Sequence, residues 1–198
     1  MRGVWIKIYL PECVIRFCAG TLLLYRRLRY GFGFRKIGLT KGEYAIVDAA
    51  DYEELSKYKW HVAGNGKMLY AQRMARSKCP GQRQYKVKMH RQIMNVPEGL
   101  FVDHINHNGL DNRRSNLRIV TKMQNNWNKR KLKTGCSSKY KGVSFFKRSG
   151  KWQARIVHNG KNIFIGQYDD EESAARAYDE KAKKLFGEYA ATNFASQR

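Results

Sequence analysis

The four cysteines of this 198-residue chain, Cys13, Cys18, Cys79 and Cys136, form no C-x-x-C pair. Zinc ribbons and fingers need paired ligands at short spacing, so no zinc is expected. The scattered spacing suggests no disulfide framework either, and reduced, mostly structural thiols are the expectation. No uninterrupted apolar run approaches the ~20 residues that span a bilayer, which excludes an integral membrane protein. Acids are scarce: 16 Asp and Glu stand against 39 Lys and Arg, a formal charge of +23. A compact protein with that imbalance repels itself unless a polyanion neutralises it. Nucleic acid is the leading partner, ahead of an anionic membrane surface, and no protein partner is evident. Hydrophobic residues at 42% and aromatics at 13% suffice for a core, so a disordered basic tail protein does not fit.

The excess charge is spread along the chain, +7 over residues 1–38, +11 over 39–133 and +5 over 134–198. The apolar stretch from Cys13 to Tyr25 is interrupted by Arg16 and lacks a small-residue cleavage site, unlike a signal peptide. Richness in Arg with Glu12 as the single acid points faintly to a mitochondrial presequence, but no clear amphipathic helix accompanies it. Gly31 to Phe34 lacks the strand–loop–helix context of a phosphate loop. Residues 1–38 are therefore expected to be an N-terminal extension without its own fold, followed by domains at 39–133 and 134–198.

In the middle domain Ala45 to Val47 reads as a strand, followed by a helix over Asp51 to Lys59 with Asp51 as N-cap. Trp60 to Ala63 and Met68 to Arg73 flank Asn65-Gly66, a hairpin turn signal, and Tyr85 to Met89 reads as another strand. The informative stretch is Val102 to Arg130, VDHINHNGLDNRRSNLRIVTKMQNNWNKR. Asp103-His104 ends a short apolar strand, an Asn-rich loop follows, and Asn116 to Val120 forms a second strand. Thr121 then N-caps a helix that carries Gln124, Asn125 and Asn128. This arrangement resembles the ββα-metal site of HNH nucleases, especially phage and intron homing endonucleases. The resemblance implies His104 as general base and Asn116 as the residue that orients the motif by hydrogen bonding. It also implies Asp103 and Asn125 as oxygen ligands of a divalent cation, magnesium first and manganese second. The chemistry suits those residue types. An imidazole near pKa ~6.5 can take a proton from water at physiological pH. A hard cation prefers few protein oxygens and keeps water and phosphate for the rest.

Other polar residues are weighed against blander roles. His61 and His158 read as surface or satisfied core histidines, and Asn106, Asn108 and Gly109 as turn chemistry. His107 stands in the loop at a position where the family tolerates many residues. His90-Arg91 resembles the His-Arg that precedes the motif in these endonucleases, with packing or a phosphate contact as its expected role. Arg113, Arg114, Arg118, Lys122, Lys129, Arg130, Lys131 and Lys133 surround the site. Lys129 to Lys133 alone could pass for a localisation signal, but beside a cleavage site phosphate contacts are the better expectation.

Residues Ser138 to Phe194 change pattern. Strands over Gly142 to Lys147, Trp152 to His158 and Asn162 to Tyr168 are joined by Ser149-Gly150 and Asn159-Gly160 turns. Asp169 or Asp170 caps a helix ending at Phe186, with Gly187 as its stop. The wording of this module resembles the plant APETALA/ethylene-response-factor DNA-binding domain over nearly its whole length. That family lays its sheet in the DNA major groove. Alternation turns Ser144, Phe146, Gln153, Arg155, Val157, Asn162 and Phe164 away from the helix, with Lys141, Lys147, Arg148 and Lys151 on or beside that face. Trp152 is counted with the DNA-contacting residues Lys141, Lys147, Arg148, Arg155 and Phe164. Ser144, Phe146, Val157 and Asn162 occupy positions often basic in plant members, so base specificity is expected to differ.

The fold class expected is therefore α+β: a ββα-metal HNH domain, then a three-stranded antiparallel sheet against one helix. The function expected is metal-dependent DNA cleavage of the homing type on double-stranded DNA, in the cytoplasm of a bacterial host for a phage-encoded chain. The competing reading is a DNA-binding transcriptional regulator without chemistry. A chain truncated after Lys133 is expected to keep cleaving, with weaker binding.

Overall fold

The computed structural model of the chain describes residues 11–30, 33–64, 68–77, 84–129 and 137–194. It is a mixed α/β protein with several small antiparallel sheets. Two compact units divide it, Met1–Glu98 with Val102–Ile119, and Gly99–Phe101 with Val120–Arg198.

The first unit opens with helix α1 (Glu12–Tyr30), followed by strand β1 (Phe34–Gly38). β1 pairs antiparallel with β2 (Tyr44–Asp48), placing Ile37 opposite Ala45 and Arg35 opposite Val47. The Arg26 side chain donates to the Phe34 carbonyl and lies over the Phe34 ring at 4.4 Å, joining α1 to β1. The described part of residues 1–38 thus holds a helix and a strand that pairs outside the segment, with β2. The sequence missed the strand because its partner, Tyr44 to Asp48, lies beyond the boundary drawn at Gly38.

Helix α2 (Ala49–Ser56) starts two residues before the expected cap. Asp48 holds the N-cap position without a side-chain capping bond, and its Oδ2 instead accepts from the Arg114 amide at 2.7 Å. Strands β3 (His61–Gly64), β4 (Leu69–Arg76) and β5 (Gln84–Lys88) form an antiparallel sheet in that order. The Asn65-Gly66 turn expected between β3 and β4 lies outside the described residues. Ile37, Ala45, Val47, Leu55, Trp60, Ala71, Met89, Ile93 and Leu117 share one buried core. Helix α3 (Met89–Met94) contributes two of them, and the Trp60 indole donates to the Leu55 carbonyl. Strands β6 (Phe101–His104) and β7 (Leu117–Val120) pair with each other.

In the second unit, Thr121 opens helix α4 (Lys122–Trp127) with a complete capping box. The Thr121 hydroxyl accepts from the Gln124 amide and Gln124 Oε1 accepts from the Thr121 amide at 2.8 Å. Strands β8 (Val143–Phe146), β9 (Lys151–His158) and β10 (Lys161–Tyr168) form an antiparallel sheet with β9 central. Helix α5 (Glu171–Phe186) crosses it, capped by Asp170, whose carboxylate accepts from the Ser173 amide at 2.7 Å. Ala174, Ala175 and Ala182 are fully buried, and those small side chains let α5 lie close on the strands. Gly142 sits at φ +74°, and any Cβ there would collide with the buried Tyr178 ring.

Helix α4 is anchored inside this unit. The Trp127 ring stacks on Phe186 at 4.6 Å and 14°, and lies tilted against His158. The Trp127 carbonyl accepts from Lys141 Nζ at 2.6 Å and from the Ala191 amide. Six residues are too few for an isolated helix to persist in water. Truncation after Lys133 would remove all of these partners of α4. Trp127→Ala should lower the unfolding free energy of the second unit by roughly 2–4 kcal/mol. Hydrogen exchange of the α4 amides should accelerate with it, and α4 protection equal to that of the unaltered chain would contradict the anchoring role.

Candidate active site and DNA-contacting face

The loop between β6 and β7 owes its shape to backbone pairing and amide side chains. The Ile46 amide donates to the Leu110 carbonyl at 2.8 Å, and the Asn112 amide donates to the Ile46 carbonyl at 2.7 Å. This short parallel bridge pins the loop to β2. Asn116 closes the loop from the other side. Its Nδ2 donates to the Asp111 carbonyl and to Asn106 Oδ1, and its Oδ1 accepts from the Asn106 amide at 3.0 Å. Asn106 and Asn108 serve as turn residues, Asn106 Oδ1 accepting from the Asn108 amide and Asn108 Oδ1 from the Leu110 amide. Gly109 leaves no room for a Cβ beside the Tyr70 ring and the Leu69 carbonyl.

At the end of β6 both Asp103 and His104 are buried. His104 Nε2 lies 3.3 Å from Asn112 Oδ1. The Asn112 amide group is oriented by Nδ2 donating to the Leu110 carbonyl, so an acceptor oxygen faces the ring. Nε2 therefore carries the hydrogen, and Nδ1 is the nitrogen with the lone pair. Burial pushes the His104 pKa down, while the bond to Asn112 and the charges of Asp103 and Asp111 push it partly back. Asn112, fully buried, is the residue that sequence reasoning missed. One asparagine among the four between residues 106 and 116 carries no local mark of its partner.

His90 packs edge-on against His104, with ring centroids 5.0 Å apart, and Tyr70 flanks both. His90 Nδ1 is buried without a hydrogen-bond partner. Burial first, then the charges of His104, Lys88 and Arg91, lowers its pKa to about 3. The packing alternative expected for His90 is what its surroundings match, whereas His61 is half-buried, near the Gln72 amide.

Three arginines expected at DNA phosphates are engaged inside the first unit. Arg113 pairs through two bonds with Asp111, and Arg114 through two bonds with Asp51. Arg118 donates from Nε and Nη2 to Asp103 Oδ2, at 3.0 and 2.8 Å. Both members of that last pair are largely buried. A guanidinium matches a carboxylate fork as readily as a phosphate, which is why a basic run alone does not separate the two. Among the described residues no group of three or more His, Cys, Asp or Glu could hold a metal ion. Asn125 stands in α4 of the second unit, half-buried, with its amide bonded to the Thr121 carbonyl.

On the second unit Phe146, Arg155, Val157 and Phe164 are exposed on the sheet face opposite α5, as alternation predicts. Lys122, Lys147 and Arg148 are exposed as well, while Arg130 lies outside the described residues. Two expected contacts differ. Trp152 packs against the core of Val143, Ala154, Ala174 and Ala175, because its position in β9 turns it toward α5. Lys141 is half-buried with its ammonium on the Trp127 carbonyl, and burial lowers its pKa to about 8.

The comparisons with known proteins agree with both halves of this picture. A family model described as HNH endonuclease matches residues 95–127, and one described as AP2 domain matches residues 138–188. The chain is 36% identical over 166 residues to a protein of Acanthamoeba polyphaga mimivirus described as an uncharacterized HNH endonuclease. That alignment covers 81% of this chain and 80% of the viral protein. Over 58 residues, 29% of the chain, it is 45% identical to the AP2-like ethylene-responsive transcription factor TOE2 of Arabidopsis thaliana, covering 12% of that protein. An APETALA2-like protein 2 of Oryza sativa subsp. indica matches at 45% over 58 residues, 13% of its length.

The buried histidines make the first unit sensitive to acid. His90 stays neutral in the folded state down to about pH 3, whereas the unfolded chain takes up the proton near 6.5. Stability should therefore be full above pH 6.5 and fall by up to about 1.4 kcal/mol per pH unit on acidification toward pH 3. His90→Phe should flatten that slope in pH-dependent denaturant unfolding, and an unchanged slope would contradict it. The family match over residues 95–127, which holds the end of β6, and a matching relative along four-fifths of the chain lead to one assignment: this protein belongs to the HNH endonucleases and carries a C-terminal AP2 domain.

Proposed function

We propose that this endonuclease hydrolyses DNA phosphodiesters with His104 as general base, at a ββα-metal site where Asp103 and Asn125 hold a divalent cation, magnesium in the cell. The observation that carries the reading is the burial of His104 beside Asp103, with its Nε2 directed at Asn112. Held so, the ring offers Nδ1 as the proton acceptor for an attacking water, and burial keeps it neutral at physiological pH. Asn116 acts by holding the loop that carries Asn112.

The donor set fits a hard cation: one carboxylate and one amide oxygen leave most positions for water and phosphate oxygens. Arg118, already on Asp103 Oδ2, supplies positive charge at the same carboxylate. When bound, a divalent cation supplies Lewis acidity at the phosphate and the leaving 3′-oxygen. Asn125 is included on the spacing of the motif, since β7 runs through Thr121 directly into α4.

The second unit supplies duplex DNA binding. Its sheet face, with Arg155, Phe164, Lys147 and Arg148, is proposed to lie in the major groove, and Lys122 and Arg130 to meet phosphates. Cytoplasmic action and a homing role belong to this proposal too. No helix among the described residues is long and apolar enough to cross a membrane.

Plasmid cleavage should require magnesium or manganese and stop with chelator. Asp103→Ala and Asn125→Ala should raise the half-maximal magnesium concentration tenfold or more, or remove activity. Titrations identical to the unaltered protein in both variants would reject the ligand assignment.

A further inference from the structure

The sheet face of the second unit has an uneven chemistry. From Ser137 to Tyr168 the chain has seven Lys and Arg and no Asp or Glu, while all seven acids of the module lie from Asp169 onward. The sheet is therefore basic and the α5 side carries the acids. Yet the middle of the basic face is apolar. Val157 is 59% exposed, Phe164 54% and Phe146 38%. Such side chains lose free energy to water unless something apolar covers them.

Cross-strand pairs share a face, which fixes what surrounds these residues. Phe164 stands opposite Arg155, Asn162 opposite Val157, and Gln153 lies between Ser144 and Gln167. Arg155 Nη2 donates to Gln153 Oε1 at 2.9 Å, and its guanidinium lies 5.9 Å from the centre of the Phe164 ring. The exposed groups on the strands of this face are thus the Asn162 and Gln167 amides, the Ser144 hydroxyl and bare hydrocarbon, with Arg155 and Lys151 as its cations and Lys147 and Arg148 on the turn between β8 and β9; Gln153 is itself buried.

The major groove presents a matching set of groups. Asn and Gln pair with the N6 and N7 edge of adenine, and apolar side chains meet the thymine C5-methyl. Guanine is read chiefly by Arg or Lys, of which this face has little. Charge complementarity favours duplex DNA over another copy of a chain that is itself strongly basic.

We propose that this face selects A·T-rich duplex DNA, with thymine methyl groups packed on Phe146, Val157 and Phe164. The inference rests on the reading that the module docks on DNA through its sheet. Arg155 and the lysines then hold the backbone or a single guanine, and the apolar centre makes the choice of base.

Uracil isolates the claim, because it keeps every hydrogen-bonding group of thymine and lacks only the methyl. The full chain, held in chelator to prevent cleavage, is titrated at one salt concentration against three duplexes of equal length. One is A·T-rich, one has uracil at every thymine, and one is G·C-rich. Affinity should fall roughly fourfold for each contacted methyl removed, about sixtyfold for three. The G·C-rich duplex should bind more weakly than the A·T-rich one. Phe164→Ala and Val157→Ala should shrink the thymine-to-uracil ratio, whereas Arg148→Ala should weaken all three duplexes alike. Equal affinity for the thymine and uracil duplexes overturns methyl reading. If Arg155→Ala and Phe164→Ala together leave all three affinities unchanged, the docking of this face on DNA fails instead.

Discussion

The short parallel bridge between Ile46 and the Leu110–Asn112 segment is the interaction on which the first unit's site depends. A loop of twelve residues, 105–116, whose only regular structure is a single 3-10 turn at Arg114–Asn116, would ordinarily sample many shapes, and loop closure alone does not select one. Two backbone hydrogen bonds to β2 fix its middle, and the Asn116 side chain fixes its end. Asn112 is delivered to the His104 ring as a consequence. Because β2 is itself buried through Ala45 and Val47, the position of the ring is referred to the core of the unit. Catalytic precision of this kind needs a rigid support behind the reacting group.

The site also places charge economically. Asp103 is buried, and an uncompensated carboxylate there would be costly, so Arg118 accompanies it. Asp111 and Asp51 are likewise matched by Arg113 and Arg114. The surplus of +23 is therefore not evenly available to a ligand. Three arginines of the first unit, Arg113, Arg114 and Arg118, are engaged with carboxylates.

Much of this was legible in the chain, and the residues show why. β6, the capping box at Thr121, the three strands of the AP2 domain and the Asp170 cap all follow from local patterns: alternation, turn dipeptides and short-range side-chain bonds. What escaped depends on partners distant in sequence. Arg114 reads as a phosphate contact until Asp51 is found beside it, 63 positions away. Nothing local to Trp127 points to the Phe186 ring that stacks on it. Trp152 follows the alternation rule, which was correctly applied to its neighbours and not to it. Asn125 remains an inference from motif spacing, and its role is a matter for metal titration.

The central claim is that His104 removes the proton from water. The most direct measurement compares single-turnover cleavage by His104→Ala and by the unaltered protein, with DNA affinity measured separately in chelator. The account requires a rate lower by roughly 10²–10⁴ with affinity within a few-fold. A variant that cleaves at nearly the original rate would contradict it, because the proton would then leave the water without His104.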